Sequence, residues 1–411
     1  GNLGNQQVGY YDYIRTINIG TQTYLFGGNL PSSASISAPV SSSLTWETVE
    51  HHNIGLDASF LDNRLNFTGE AYIRNTKDML TAGIALPAVY GTSSPKMNSA
   101  DMQTKGYELT LGWQDMFKLA GKPFSYQVNL TFNDYTSKIT KFNNPEKAFA
   151  KGYYEGMRIG EIWGYHIDGI FATDEEAASY EVDQRNVNDI INSSSGSLKG
   201  LHAGDLRFAD LDGDNRISTG ENTVDKPGDR RIIGNSEPRY QYGANLAFQW
   251  CGFDFSIFFQ GIGRMDWYPA SEAELFWGPF NRPYATFLPK NFLEKCWSED
   301  NPDAYFPRPR AYVAYDNLNN QCRELTAKND RYLQNIGYCR LKNLTVGYTL
   351  PKNLTRKVGI DMLRVYFSGE NLAYWSGIKT DYIDPEQARR GGDLKVYPWQ
   401  KTFTFGINVN F

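Results

Sequence analysis

The residues best equipped for chemistry lie in one stretch, DLDGDNRISTGE, from Asp210 to Glu221. Counted from Asp210, oxygen donors stand where a twelve-residue calcium loop needs them. Asp210, Asp212 and Asp214 occupy positions 1, 3 and 5, the Arg216 carbonyl position 7, Ser218 position 9 and Glu221 position 12. Position 6 departs from the pattern, because Asn215 stands where glycine is usual and the glycine comes earlier, at Gly213. Asparagine tolerates a left-handed backbone better than most residues, so a loop holding Ca2+ at about 0.1–1 mM is the expectation. The competing reading is an acidic solvated turn, with Asp and Gly present for turn chemistry. No cofactor is required by anything else in the chain.

Other chemistry is sparse. The four cysteines, Cys251, Cys296, Cys322 and Cys339, show no zinc-type CxxC spacing. In an oxidising compartment Cys296 and Cys322, which share one long connector, are the expected disulfide, with free thiols the alternative. His51, His52, His166 and His202 fall in no nucleophile-elbow or metalloprotease motif. Carboxylate pairs suited to glycoside hydrolysis can be imagined anywhere among 46 acidic residues. The expectation is therefore no enzyme; a secreted carbohydrate-binding or hydrolytic β-protein is the alternative of a different class.

The elements that would position these groups are strands. The chain ends TFTFGINVNF, with Phe403, Phe405, Ile407, Val409 and Phe411 alternating against small or polar residues. A period of two puts apolar side chains on one face of a strand. The same alternation marks Ile54 to Phe60, Leu65 to Ile73, Tyr107 to Trp113 and Phe124 to Phe132. It returns at Tyr240 to Trp250, Phe253 to Phe259, Leu344 to Leu350 and Leu363 to Phe367, which makes nine strands with the last. A soluble sandwich would alternate as strictly. The polar faces, however, are Asn, Thr, Ser, Gln and Gly rather than Lys and Glu, and Trp113, Trp250, Tyr397 and Trp399 sit at strand ends as interfacial girdles require. These features predict an all-β antiparallel barrel wall in a lipid bilayer.

Connectors alternate short and long, and in such barrels short turns face the periplasm and long loops the exterior. The expected organisation is an exterior loop over 1–43, strands over 44–135, a long exterior loop over 136–238, a hairpin over 239–261, a second exterior loop over 262–337 and the last strands over 338–411. Hydrophobic residues make up 41% of the chain and aromatics 15%, without a run of the roughly 18 apolar residues that a membrane helix needs. A net charge of -5 gives no reason to expect nucleic acid. The opening GNLGNQQVGYYDY has no basic region or apolar core of a leader, so a processed product or a piece of a longer chain is expected.

Several segments in order carry a resemblance: GNQ at Gly4, LTWE at Leu44, RNTKDML at Arg74, DLDGDNRI at Asp210, IGNSEPRYQYGANL at Ile233, FDFSIFFQGIG at Phe253, RLKNLTVGYTLP at Arg340, LRVYFSGENL at Leu363 and the final TFTFGINVNF. Together they resemble the C-terminal part of SusC-like TonB-dependent transporters. The resemblance implies the C-terminal portion of a 22-stranded transmembrane barrel with long extracellular loops, placed in a bacterial outer membrane. It also implies active import of oligosaccharides or peptides, a SusD-like surface lipoprotein as lid, and TonB acting through an N-terminal part absent from this sequence. Aromatic rings stack on sugar faces and anchor ligands. Trp163, Tyr165, Trp267, Tyr268, Trp277, Tyr374 and Trp375, in or beside the exterior loops, are accordingly the candidate substrate contacts.

Overall fold

The structure, a computed structural model, describes residues 14–42, 44–83, 86–188, 200–281, 288–309, 324–390, 396–397 and 399–411. Nine long strands are hydrogen-bonded in chain order into one sheet. They are β1 (Thr48–Phe60), β2 (Leu65–Ala82), β3 (Lys96–Leu119), β4 (Lys122–Lys141), β5 (Arg239–Trp250), β6 (Phe253–Arg264), β7 (Tyr338–Thr349), β8 (Met362–Ser376) and β9 (Thr402–Asn410). Strands β1 and β9 are the two edges. Among the described residues no helix is long and apolar enough to cross a membrane.

Register turns the sequence alternation into rows. Tyr126, Phe248, Phe255, Val346, Phe367 and Phe405 are successive cross-strand partners from β4 to β9 and make one apolar row. One residue along, Gln127, Ala247, Ser256, Thr345, Ser368 and Thr404 make a polar row on the other face. Phe124, Phe248 and Phe255 continue the apolar face as a stack, with centroids 6.0 and 4.9 Å apart. Adjacent rings in offset contact add to burial alone.

The hairpin turns follow from local chemistry. In LDNR, Leu61, Asp62 and Asn63 take positive φ, where Asp and Asn are the tolerated residue types. At Cys251 and Gly252, φ is 50° and 87°, the mirror-type turn that matches strand twist; a Cβ on Gly252 would meet the Thr349 carbonyl at 2.7 Å. The turn after Trp113 comes later than the alternation suggests, at Ala120 and Gly121. Strands β2, β3 and β4 are 18, 24 and 20 residues long, against the 9–11 that cross a bilayer. Strand β4 continues to Lys141 and β6 to Arg264, past the loop starts read at 136 and 262.

The chain divides into two compact units. One comprises residues 1–54, 71–106 and 135–159; it contains the small hairpin of Ile17–Thr21 with Ser32–Ile36. The other comprises residues 55–70, 107–134 and 160–411. Within it the segments after β4, β6 and β8 share one buried core, with Phe208, Leu206, Ile217, Trp277, Phe280, Leu325, Tyr332 and Ile336 fully enclosed. These connectors are thus packed against each other rather than separate.

Candidate functional site

The acidic loop is built by backbone turns. Asp210 accepts from the Gly213 N–H at 2.7 Å and the Asn215 N–H at 2.8 Å. Asp214 accepts from the Arg216 N–H at 2.8 Å, and the Ser218 hydroxyl from the Gly220 N–H at 3.1 Å. Asn215 has φ 59°, the left-handed conformation expected at position 6, and Gly213 has φ 78°. Ile217, fully buried, and the pairing of Arg216 with Asp183 fasten the loop to the core.

The carboxylates that converge are Asp210, Asp212 and Asp229, with one oxygen of each within 4.8 Å of the others. Asp229 is completely buried and is oriented by the N–H groups of Leu211 at 2.8 Å and Ser218 at 2.7 Å. Glu221, expected at position 12, is drawn instead to Lys226 at 2.5 Å. Asp229 was not legible, because it lies outside the twelve-residue window in a turn, KPGDRR. The fold delivers it through the crossing of Gly220 and Gly228, where a Cβ on Gly220 would lie 2.5 Å from the Gly228 nitrogen. Loss of solvation, then the charges of Asp229, Asp214 and Asp210, raise the Asp212 pKa. At Asp210 desolvation is outweighed by the donated backbone N–H groups, and the pKa is lowered. Three hard oxygen donors gathered by two hydrogen-bonded turns fit a hard cation such as Ca2+.

The seven aromatic candidates fall in different surroundings. Trp277 is fully buried and Tyr165 nearly so; the Trp277 ring is packed against Phe276, Tyr268 and Tyr332. Both are core residues and present no ring face to a ligand, contrary to expectation. Trp267 and Tyr268 are half-buried at the edge of the same core, and the Tyr268 hydroxyl donates to the Leu325 carbonyl at 2.8 Å. Trp163 is half-buried on the short strand Glu161–Gly164, opposite Ile232.

Trp375 and Tyr374, adjacent on β8, face opposite sides of the sheet. The register of β7 shifts against both β6 and β8 near Lys342, which flips the side-chain parity of β7 beyond it and turns Arg340 to the polar face. Trp375 then pairs with Cys339 on the apolar face, whereas Tyr374 pairs with Arg340 on the polar face. Trp375 is 58% exposed there. Arg340 is buried over the Tyr374 ring at 4.9 Å and donates from Nη2 to both Asp384 oxygens at 2.5 and 2.6 Å. Its Nε lies 3.0 Å from Glu386, off the hydrogen-bonding direction, and Lys342 completes the cluster with 2.7 and 2.8 Å bonds to Glu386.

Cys296 carries a free, buried thiol directed at the Phe292 carbonyl at 3.6 Å, and burial raises its pKa to about 12. The expected disulfide is thus not seen at Cys296; Cys322 lies outside the described residues. His166 hydrogen-bonds Asp330, with Asp168 at 3.5 Å.

The sheet and its loops match a known architecture. A family model described as TonB dependent receptor-like, beta-barrel, matches residues 4–372. The chain belongs to that family. Its members are transporters of the outer membrane, not enzymes. TonB-dependent receptor P3 of Formosa agariphila is 28% identical over 394 residues, covering 90% of this chain and 34% of that protein. Receptor P39 of the same organism is 24% identical over 99% of this chain and 39% of its own length. Among solved structures, the RagAB peptide transporter superposes with a TM-score of 0.66 at 22% identity, over 98% of this chain and 39% of that one. The RagAB importer in its closed-closed state gives 0.65 at 21% identity, over 96% of this chain and 38% of that one. The chain therefore spans little more than a third of the length of these relatives.

Proposed function

We propose that residues 1–411 form the C-terminal part of the barrel of a SusC-like importer in a bacterial outer membrane, which carries oligomeric nutrients inward. The observation that carries this is the nine-stranded sheet with an apolar row on one face and an amide and hydroxyl row on the other. In hydrocarbon each unsatisfied backbone group costs several kcal/mol, so the edges β1 and β9 call for strands outside this sequence. A wall of this length, closed by further strands, encloses a watery lumen wider than the filled interior of an 8-stranded barrel.

The cargo we propose is an oligosaccharide, met by the half-buried rings of Trp163, Trp267 and Tyr268 and by Tyr374 on the polar face. Oligopeptide import is the second reading, motivated by the likeness to the RagAB peptide transporter. TonB, acting through the N-terminal part, and a SusD-like lipoprotein over the exterior loops complete the proposed machine. A Ca2+ ion on Asp210, Asp212 and Asp229 would brace the first long loop for that contact. Uptake of labelled oligosaccharides and of labelled peptides by cells with and without the full-length gene tests the proposal; loss of neither class on deletion contradicts import.

A further inference from the structure

The segment between β8 and β9 is fastened along the polar face of the sheet, and the fastening leaves its open side cationic. Residues 377–390 carry Lys379, Arg389 and Arg390 against Asp381, Asp384 and Glu386. Two of these carboxylates are taken by β7. Asp384 receives both bonds from Arg340 Nη2, at 2.5 and 2.6 Å, and Glu386 those from Lys342 Nζ, at 2.7 and 2.8 Å. Exposed Asp381 is then the one carboxylate of the segment left to its three cations.

Apolar anchors hold the same side down. Ile383 and Ala388 are buried in the core that the long loops share, and Gln387 is buried as well. The segment crosses from β8 over β7 to the ends of β5 and β6, where Arg389 Nη1 donates to the Ser236 carbonyl at 2.9 Å and lies 3.5 Å from Met265 Sδ. Neither of those partners is charged. Arg389 Nε and Nη2 have no hydrogen-bond partner among the described residues, and the exposed Arg390 side chain has none among them either. Lys379, by contrast, is held over the Tyr305 ring at 4.7 Å. A guanidinium fixed through one nitrogen presents its remaining edge, Nε and Nη2, as a fork that takes a carboxylate with two parallel bonds.

The open side of the segment faces away from the sheet, because its other side is spent on Arg340, Lys342 and the core. In the barrel proposed above, that open side lines the lumen at the level of the long loops. Two exposed guanidinium groups on adjacent residues repel each other, and an anion bound by both relieves this. The polar rows on which the segment lies offer amides and hydroxyls, which suit sugar hydroxyls, and Tyr374 offers a ring on the same face. We propose that Arg389 and Arg390 select an acidic oligosaccharide, binding carboxylates that recur along its uronic acid units. The inference rests on the import reading and narrows the cargo to one charge class.

The test titrates the full-length transporter in detergent with tetrasaccharides of polygalacturonate, alginate and hyaluronate and with their carboxyl-reduced counterparts, read by calorimetry. At least one acidic tetrasaccharide should bind the wild type about tenfold or more tighter than its reduced counterpart. In R389Q/R390Q that ratio should fall to about one, whereas R389K/R390K should keep part of it, since the charge remains and the fork is lost. Binding of no acidic tetrasaccharide, or equal binding of acidic and reduced forms, overturns the proposal, as does a preference unchanged in R389Q/R390Q. A tetraglutamate peptide bound in place of the sugars, with the same dependence on the arginines, overturns the choice of an oligosaccharide. Should the double glutamine variant not fold, R390Q alone should lower the ratio about threefold, and an unchanged ratio there overturns the proposal. Uptake of neutral oligosaccharides without preference for acidic ones fails this inference and leaves import standing, whereas deletion of the full-length gene without loss of any uptake fails import itself.

Discussion

Arg364 on β8 reaches across β7 to Asp254 on β6, donating from Nε at 2.8 Å and Nη2 at 2.6 Å. The strand between them offers Gly347 at the crossing, where a Cβ would meet the Asp254 carboxylate at 2.4 Å and Arg364 Nη2 at 2.6 Å. A glycine in a strand interior normally weakens it. Here it clears the path for a bidentate pair on the polar face, which ties three strands together.

That relationship predicts coupling. Gly347→Val and Arg364→Ala should each destabilise the folded full-length barrel by about 1 kcal/mol, since the pair is only partly buried. The double variant should cost little more than either single one. Denaturant unfolding in detergent measures this, and strict additivity would show that the glycine serves something else.

The two faces should differ in tolerance. Arginine in place of Val128 or Ile257, in the apolar rows, is expected to cost about 2–4 kcal/mol near the bilayer midplane. Arginine in place of Asn129 or Ser256, in the polar rows, should be accepted in a watery lumen. Equal cost at both sets, measured by folding into lipid vesicles, would sink the assignment of faces.

For the acidic loop, the geometry separates neighbours that the sequence treats alike. Ca2+ should protect the loop from proteolysis at about millimolar concentration. Asp229→Asn should abolish that protection as fully as Asp210→Asn, whereas Glu221→Gln, already paired with Lys226, should retain it. Protection lost with Glu221→Gln and kept with Asp229→Asn would restore the twelve-residue reading.

The pairing of His166 with Asp330 joins the first and second long loops, and the Asp330 hydrogen bond raises the His166 pKa above its ordinary value. A raised folded pKa contributes stability that is complete below the unfolded pKa, about 6.5, and is lost as pH rises through the folded one. Hydrogen exchange at the Ile167 amide, which donates to Asp330, should therefore quicken, beyond the ordinary base-catalysed rise, as pH rises above about 6.5 and through the raised folded pKa. The effect should vanish in His166→Gln. An unchanged pH profile in that variant would remove the switch.

What the sequence revealed follows physical periodicity. All nine strands were legible because one face of each is apolar, and the turns at LDNR and at Cys251 and Gly252 announced themselves through residues that accept positive φ. The extensions of β2 and β3, RNTKDMLTA and KMNSADMQTK, were not, since polar residues fall on both faces there and no alternation results. Burial of Trp277 and the arrival of Asp229 were hidden for another reason. Both depend on segments distant in sequence, Tyr332 against Trp277 and the Gly220–Gly228 crossing beside Asp229. The turn of Arg340 to the polar face, beside Tyr374, needed the bulge near Lys342 on β7, which leaves no mark in composition.

The central claim, that these nine strands are one arc of a larger membrane barrel, is tested most directly by a structure of the full-length protein in lipid. Strand β9 should be hydrogen-bonded along its free edge, from Phe403 to Val409, to a strand from outside residues 1–411, with β1 likewise paired to an outside strand. Direct pairing of β9 with β1 into a closed nine-stranded barrel would contradict it.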